Sequence, residues 1–242
     1  MFAEEVVACA ASVRVGPAAQ VFWALYTRAD GVMRERTRIW RARGAVELAA
    51  GEVRVRDAGI ELALSLEEDD GWEARCHDEG GGEVWTRKQA GIRARGTLRI
   101  GDGPPRALQA RAVIDDTAGY HARHTEWRWS AGVGEAADGT ALAWNLVSGV
   151  NDPASGSERA VWIDGVPREA PPVEFSEDLA GIACEDGSLV QFRAEAQRAR
   201  KENLLLVKSD YRAPFGTFTG SLPGRVELAR GLGVVEHHRA VW

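Results

Sequence analysis

Apolar positions along this chain come in short runs separated by turn residues, and few stretches carry the period of a helix. Asp-Gly occurs six times, at Asp30-Gly31, Asp70-Gly71, Asp102-Gly103, Asp138-Gly139, Asp164-Gly165 and Asp186-Gly187. Both residue types tolerate the positive φ of the tight turns that match the twist of paired strands. Residues 21–27 and 33–40 bracket the first of these turns, residues 141–147 follow the fourth, and residues 160–163 lead into the fifth. Runs of β-branched and aromatic residues between such turns predict antiparallel sheets, closed as a barrel or stacked as a sandwich. The fold class expected is therefore all-β.

Residues 192–202, rich in Ala, Glu, Gln and Arg, are the one segment that propensity assigns to a helix. Its apolar face is thin, and a surface connection fits as well. The Pro-rich residues 166–173 read as an extended connector. Gly, Ala and Asp over residues 132–139 mark a soft boundary. It divides the chain into β halves at 1–131 and 132–242, with a single domain as the alternative.

Composition narrows the class. The chain has 45% hydrophobic and 27% charged residues, so it can fill a core. A formal charge of -6 with no basic run argues against nucleic acid as a partner. Lys88, Lys201 and Lys208 are the only lysines among abundant arginines, a bias of GC-rich bacterial genomes. Cys9, Cys76 and Cys184 are odd in number and scattered, which predicts reduced thiols. No apolar stretch approaches the ~20 residues that span a bilayer, and Glu4 and Glu5 stand where a signal peptide needs positive charge. The expectation is a cytoplasmic protein with no membrane insertion.

Four segments carry candidate chemistry. Read as a strand, residues 123–130 place Trp127 and Trp129 on one face and His124, Glu126 and Arg128 on the other. The polar row is either a solvated face or the lining of a cavity, where His124 beside Glu126 could move protons. Trp85 and Lys88 suggest a cation stacked on a ring, an anion anchor, or a plain surface charge. Asn145, Asp152 and Glu158 form a third group. Asp152 before Pro153 is turn chemistry first, and Asp152 with Glu158 as an acid pair second. Glu236 and His238 share one face of the last alternating segment, where the terminal Trp242 reads as a core plug and Glu236 with one of the two histidines as an acid–base pair or part of a metal site. No HExxH or comparable spacing supports a metal site, and Walker A, GxGxxG and GxSxG motifs are absent, so no cofactor is expected.

Taken in order, several motifs are familiar. They are Trp85-Thr86-Arg87-Lys88, Asp115-Asp116, the run from Gly119 through Tyr120 to Trp129, Trp144-Asn145, Ser157-Glu158-Arg159, Asp210-Tyr211 and Glu236-His237-His238 with Trp242. Together they resemble the bacterial family known as domain of unknown function 2804, from about Trp85 to the last residue. The general character is similar, more distantly, to lipocalin-like proteins related to carotenoid hydratases and tocopherol cyclases. That resemblance implies a lipocalin-like barrel or sandwich, as one domain or two consecutive β-barrel-like domains, around a hydrophobic small molecule.

Three functional readings follow. In the first, the protein is a cofactor-independent hydratase, cyclase or isomerase. His124, Glu126, Glu236 and His238 move protons, and Trp85, Lys88, Tyr120, Trp127, Trp129, Trp144, Asn145, Asp152, Glu158 and Tyr211 hold the ligand. In the second it is a non-catalytic carrier of a lipophilic ligand, with an apolar cavity and ordinary pKa values. In the third it is a carbohydrate-active β-sandwich using Asp152 and Glu158.

Overall fold

The computed structural model of the protein describes residues 1–39, 44–77, 82–204 and 207–241. Trp242 lies outside them, so its expected role as a core plug is not described. Among the described residues, eighteen strands and no helix make up the regular structure, and the sheets curl into half-barrels. The all-β expectation holds.

Contacts divide the chain into two compact units. Unit 1 comprises Met1–Asp69 and Ile92–Ala112, and unit 2 comprises Asp70–Gly91 and Val113–Trp242. Residue 131, where the sequence suggested a boundary, lies within a continuous strand (β10, below). Unit 1 holds β1 (Val6–Val15), β2 (Ala18–Thr27) and β3 (Val32–Ile39) as one sheet. Its second sheet runs through β4 (Val46–Ala49), β5 (Glu52–Asp57) and β6 (Ile60–Leu66) to the second half of β8 (Glu83–Ile100). Trp23, Leu25, Val55, Leu62 and Leu98 form its core. In unit 2, β7 (Trp72–His77) pairs with the first half of β8; β9 (Arg106–Gly119), which pairs with β8, belongs to unit 1 up to Ala112 and to unit 2 from Val113.

The rest of unit 2 is one nine-stranded antiparallel sheet. Its strands are β10 (His124–Glu135), β11 (Ala141–Ser148), β12 (Ala160–Ile163), β13 (Val166–Glu169), β14 (Val173–Phe175), β15 (Gly181–Cys184), β16 (Leu189–Leu204), β17 (Val207–Leu222) and β18 (Val226–Val241). Their spatial order is β13-β12-β11-β10-β18-β17-β16-β15-β14. Ile163 pairs with Val166 across Asp164 (φ 48) and Gly165 (φ 80), the two-residue turn that Asp-Gly favours.

Two local expectations are corrected. Residues 192–202 belong to strand β16, because pairing with β17 along its whole length overrides a weak helical propensity. A register shift between Ala194 and Ala196 breaks the alternation there, which hid the strand in the sequence. Val166–Glu169 of the Pro-rich segment is the edge strand β13, a position where proline costs no inner ladder bond.

Register assigns the two faces of the large sheet. Trp144, Leu146, Phe192, Phe218 and Val235 point to the face that holds the apolar core. Gly132 lies opposite Trp144, whose ring would stand 2.3 Å from a Cβ at that position. Glycine around residue 132 thus serves packing. Trp127, Trp129, Asn145, Tyr211, Glu236 and His238 point to the other face, and the β16 bulge turns Arg198 to it as well.

Candidate functional site

On that second face, two cross-strand rows meet. Trp129 of β10 pairs with Glu236 of β18, and Trp127 pairs with His238, which pairs in turn with Tyr211 of β17. The Trp127 indole donates to Glu236 Oε1 at 2.8 Å. The Trp127 and His238 rings lie 4.3 Å apart, and Tyr211 stands edge-on to His238 at 5.4 Å. Ser209 Oγ is 2.8 Å from His238 Nε2. The Arg198 guanidinium sits 5.0 Å from the Tyr211 ring centre.

This packing sets the protonation of both titratable groups. Desolvation pushes the Glu236 carboxyl up to about 7, against hydrogen bonds from Trp127 and Tyr211. The charge of Asp115 adds to that push, and Arg198 opposes it. His238 goes the other way: burial, helped by His237 and Arg198, brings it down to about 4, so its imidazole is neutral at pH 7. Glu236 and His238 remain half-buried, so solvent reaches the pair.

A second cluster lies where β8, β9 and the loop before β12 converge. The Lys88 ammonium, whose side chain is 2% exposed, contacts Asp115 Oδ1 and stands 3.5 Å from Glu158 Oε1. Thr117 Oγ1 donates to Asp115 at 2.9 Å, and Asn151 Nδ2 to Glu158 at 3.0 Å. Burial works against the charge on Lys88, but Asp115 and Glu158 outweigh it and raise its pKa, so this lysine stays an ammonium. Burial also raises the Glu158 carboxyl, even against the pull of Lys88.

The loop that delivers Glu158 is pinned on both sides. Arg159, 1% exposed, donates to the carbonyl oxygens of Asp152 (2.9 Å) and Pro153 (2.7 Å). Trp72 of β7 donates to the Ser157 carbonyl at 2.9 Å. Asn145 joins the two clusters: its Nδ2 donates to the Glu158 carbonyl at 2.9 Å, and its Oδ1 accepts from Trp129 at 2.7 Å.

Of the residues nominated from sequence, the structure gathers Lys88, Trp127, Trp129, Asn145, Glu158, Tyr211, Glu236 and His238. Others go elsewhere. His124 is exposed on the opposite face from Glu236, because His124 and Trp127 sit at odd spacing along β10. Glu126, on the same outer face, meets His237 at 2.8 Å and Arg239 at 3.0 Å. The His237 hydrogen bond, with Arg239, holds the Glu126 carboxyl below the usual range. Trp144 is a core residue whose indole donates to Ser130 at 3.0 Å. Trp85 points away from Lys88 and reaches Glu73 at 3.4 Å. Tyr120 is 82% exposed. Asp152 caps the loop by accepting from the Gly149 amide at 2.8 Å, a different partner from that of Glu158.

Sequence reasoning did not select Asp115, Thr117, Asn151 or Arg198 as site residues. The run Asp115-Asp116 carried no chemical signal of its own, and the β16 bulge hid the inward turn of Arg198. Among the described residues, no three His, Cys, Asp or Glu side chains are arranged to hold a metal ion. No disulfide joins Cys9, Cys76 and Cys184, and burial pushes Cys184 up to about 12.

The architecture is that of a curled antiparallel β protein. The chain belongs to the family described as Domain of unknown function (DUF2804), whose model matches residues 82–242. That segment contains every residue of both clusters. No curated protein matches the chain. Among solved structures, a putative AttH from Nitrosomonas europaea has a TM-score of 0.54 at 13% identity, over 93% of this chain and 82% of that one. Kievitone hydratase from Nectria haematococca has a TM-score of 0.58 at 11% identity, over 96% of this chain and 83% of that one. At such identities the likeness is one of fold.

Proposed function

We propose that unit 2 carries an acid–base site that transfers a proton to or from a small hydrophobic molecule, in a hydration, cyclisation or isomerisation that needs no cofactor. One observation carries this reading: a carboxyl, that of Glu236, is held against an indole with its pKa pushed up to about 7. A group poised near the working pH both gives and takes a proton readily. A structural carboxylate would sit lower, as Glu126 does on the outer face. Trp127, Trp129 and Tyr211 supply apolar surface beside it, and the neutral His238 adds a second polar contact. Likeness in fold to a hydratase agrees with this reading and carries less weight than the site.

The test is turnover in labelled water. A hydrophobic extract of the producing cells is incubated with the protein in D₂O and in H₂¹⁸O, and its components are compared by mass spectrometry. The wild type is expected to label particular components that Glu236→Gln leaves unlabelled. Equal labelling by both proteins removes Glu236 from the chemistry. Retention of a component without labelling favours the non-catalytic carrier.

A further inference from the structure

We infer that the outer face of the nine-stranded sheet, at the end where β10 begins and β18 finishes, is a docking surface for an anionic phospholipid membrane. It lies on the opposite side of these strands from Glu236 and stands or falls independently of that site. Register builds it in three rows. The first sets Lys208 beside Val241. The second alternates in charge, through Lys201, Asp210, Arg239 and Glu126. The third sets Arg212 and Arg128 on either side of His237. Both carboxylates are already engaged: Lys201 holds Asp210 at 2.8 Å, while Arg239 and His237 hold Glu126 at 3.0 and 2.8 Å. Lys208, Arg212 and Arg128 have no carboxylate partner among the described residues. Arg212 donates to the Glu177 carbonyl at 2.8 Å, and the buried Arg128 Nε has no acceptor. These rows thus carry an excess of cations in a chain whose formal charge is -6.

A groove of about 210 Å³ opens in this face, lined by Lys201, Asn203, Lys208, Asp210, Arg239 and Val241. Its ammonium, guanidinium and amide groups are donors that suit phosphate oxygens. The rows lie about 7 Å apart along the strands, and neighbours within a row lie about 5 Å apart. Cations spread so widely outreach one small anion and match the array of phosphates that a bilayer presents. A membrane meets this face alone, and at physiological salt charges beyond about 8 Å are largely screened, so the overall negative charge does not forbid the contact. The loop into β10 adds an exposed Arg123 and Tyr120, a ring 82% exposed of the type that favours the boundary between water and lipid.

Vesicle sedimentation of the whole chain tests this. The protein should sediment with mixed phosphatidylcholine–phosphatidylglycerol vesicles, stay in solution with phosphatidylcholine alone, and be released by high salt. Lys208→Ser/Arg239→Ser removes two cations from the face and should weaken binding roughly tenfold or more. Lys208→Glu, at an exposed side chain, should weaken it in the same direction and covers a failure of the pair to fold. Arg93→Ser/Arg99→Ser, on β8, lowers the net charge equally and should leave binding unchanged. Absence of sedimentation with the mixed vesicles, equal sedimentation with neutral ones, or equal weakening by the β8 pair overturns the proposal. So does tighter binding to a DNA duplex, or release by inorganic phosphate where sodium chloride of the same ionic strength releases nothing. Either result assigns the face to a soluble phosphate and not to a membrane.

Discussion

Replacing Glu236 with glutamine should stabilise the protein above neutral pH and leave it unchanged in acid. The carboxyl rises from 4.5 to about 7 on folding, chiefly through desolvation. A group whose pKa rises on folding contributes fully below its unfolded value and loses that contribution as pH climbs through the folded one. Ionised Glu236 therefore costs nothing at pH 4.5 and its full penalty above about pH 7.5. At about 1.36 kcal/mol per pH unit the shift amounts to about 3 kcal/mol, and solvent access to the half-buried side chain trims this to about 2–3. Glutamine keeps an oxygen to accept from the Trp127 indole and carries no charge. Urea unfolding at pH 8.5 should show Glu236→Gln gaining about 2–3 kcal/mol, with a difference below about 0.5 at pH 4.5. An equal gain at both pH values, or a loss at pH 8.5, would refute the reasoning.

Other substitutions probe the same framework. His238, brought down to about 4, contributes fully above pH 6.5 and loses that contribution as pH falls through 4. His238→Gln should therefore gain stability relative to wild type at pH 4.5 and not at pH 8, the reverse of Glu236→Gln in the same urea series. Lys88→Met leaves Glu158 buried without its cation and should cost about 3–5 kcal/mol, part of which Lys88→Met/Glu158→Gln should recover by urea unfolding. Gly132→Ala drives a methyl to within 2.3 Å of Trp144 and 2.6 Å of the Leu232 carbonyl. It should cost about 1–3 kcal/mol, read as a lower thermal midpoint. Glu126→Gln, on the exposed outer face, should change stability by less than about 1 kcal/mol and leave labelling unaltered.

The strands were legible because turns announce themselves. Asp164-Gly165 marked the turn that ends β12, although the residues after it were read as a connector and not as β13, and alternation in β10 correctly set Trp127 and Trp129 apart from His124 and Glu126. Alternation could not say which face would carry the polar cluster. The tryptophan face looked like core and the histidine face like a site, yet the indoles turned out to hold Glu236 and Asn145 by hydrogen bonds. Trp144, one strand away, serves the apolar core on the other face, and residue type does not distinguish it from Trp129. Lys88 could be nominated for its rarity, but its partner could not. Asp115 lies 27 residues away, and the register of β8 with β9 brings them together. Arg198 was lost to a bulge, since one extra residue exchanges the faces of everything beyond it.

The claim on which the account turns is that Glu236 keeps its proton close to neutrality. Infrared absorption of protonated carboxyls, taken as wild type minus Glu236→Gln across a pH series, isolates that one group. A difference band that disappears with a midpoint near pH 7 is the predicted result. A midpoint at or below 4.5, the ordinary value for glutamate, would contradict it.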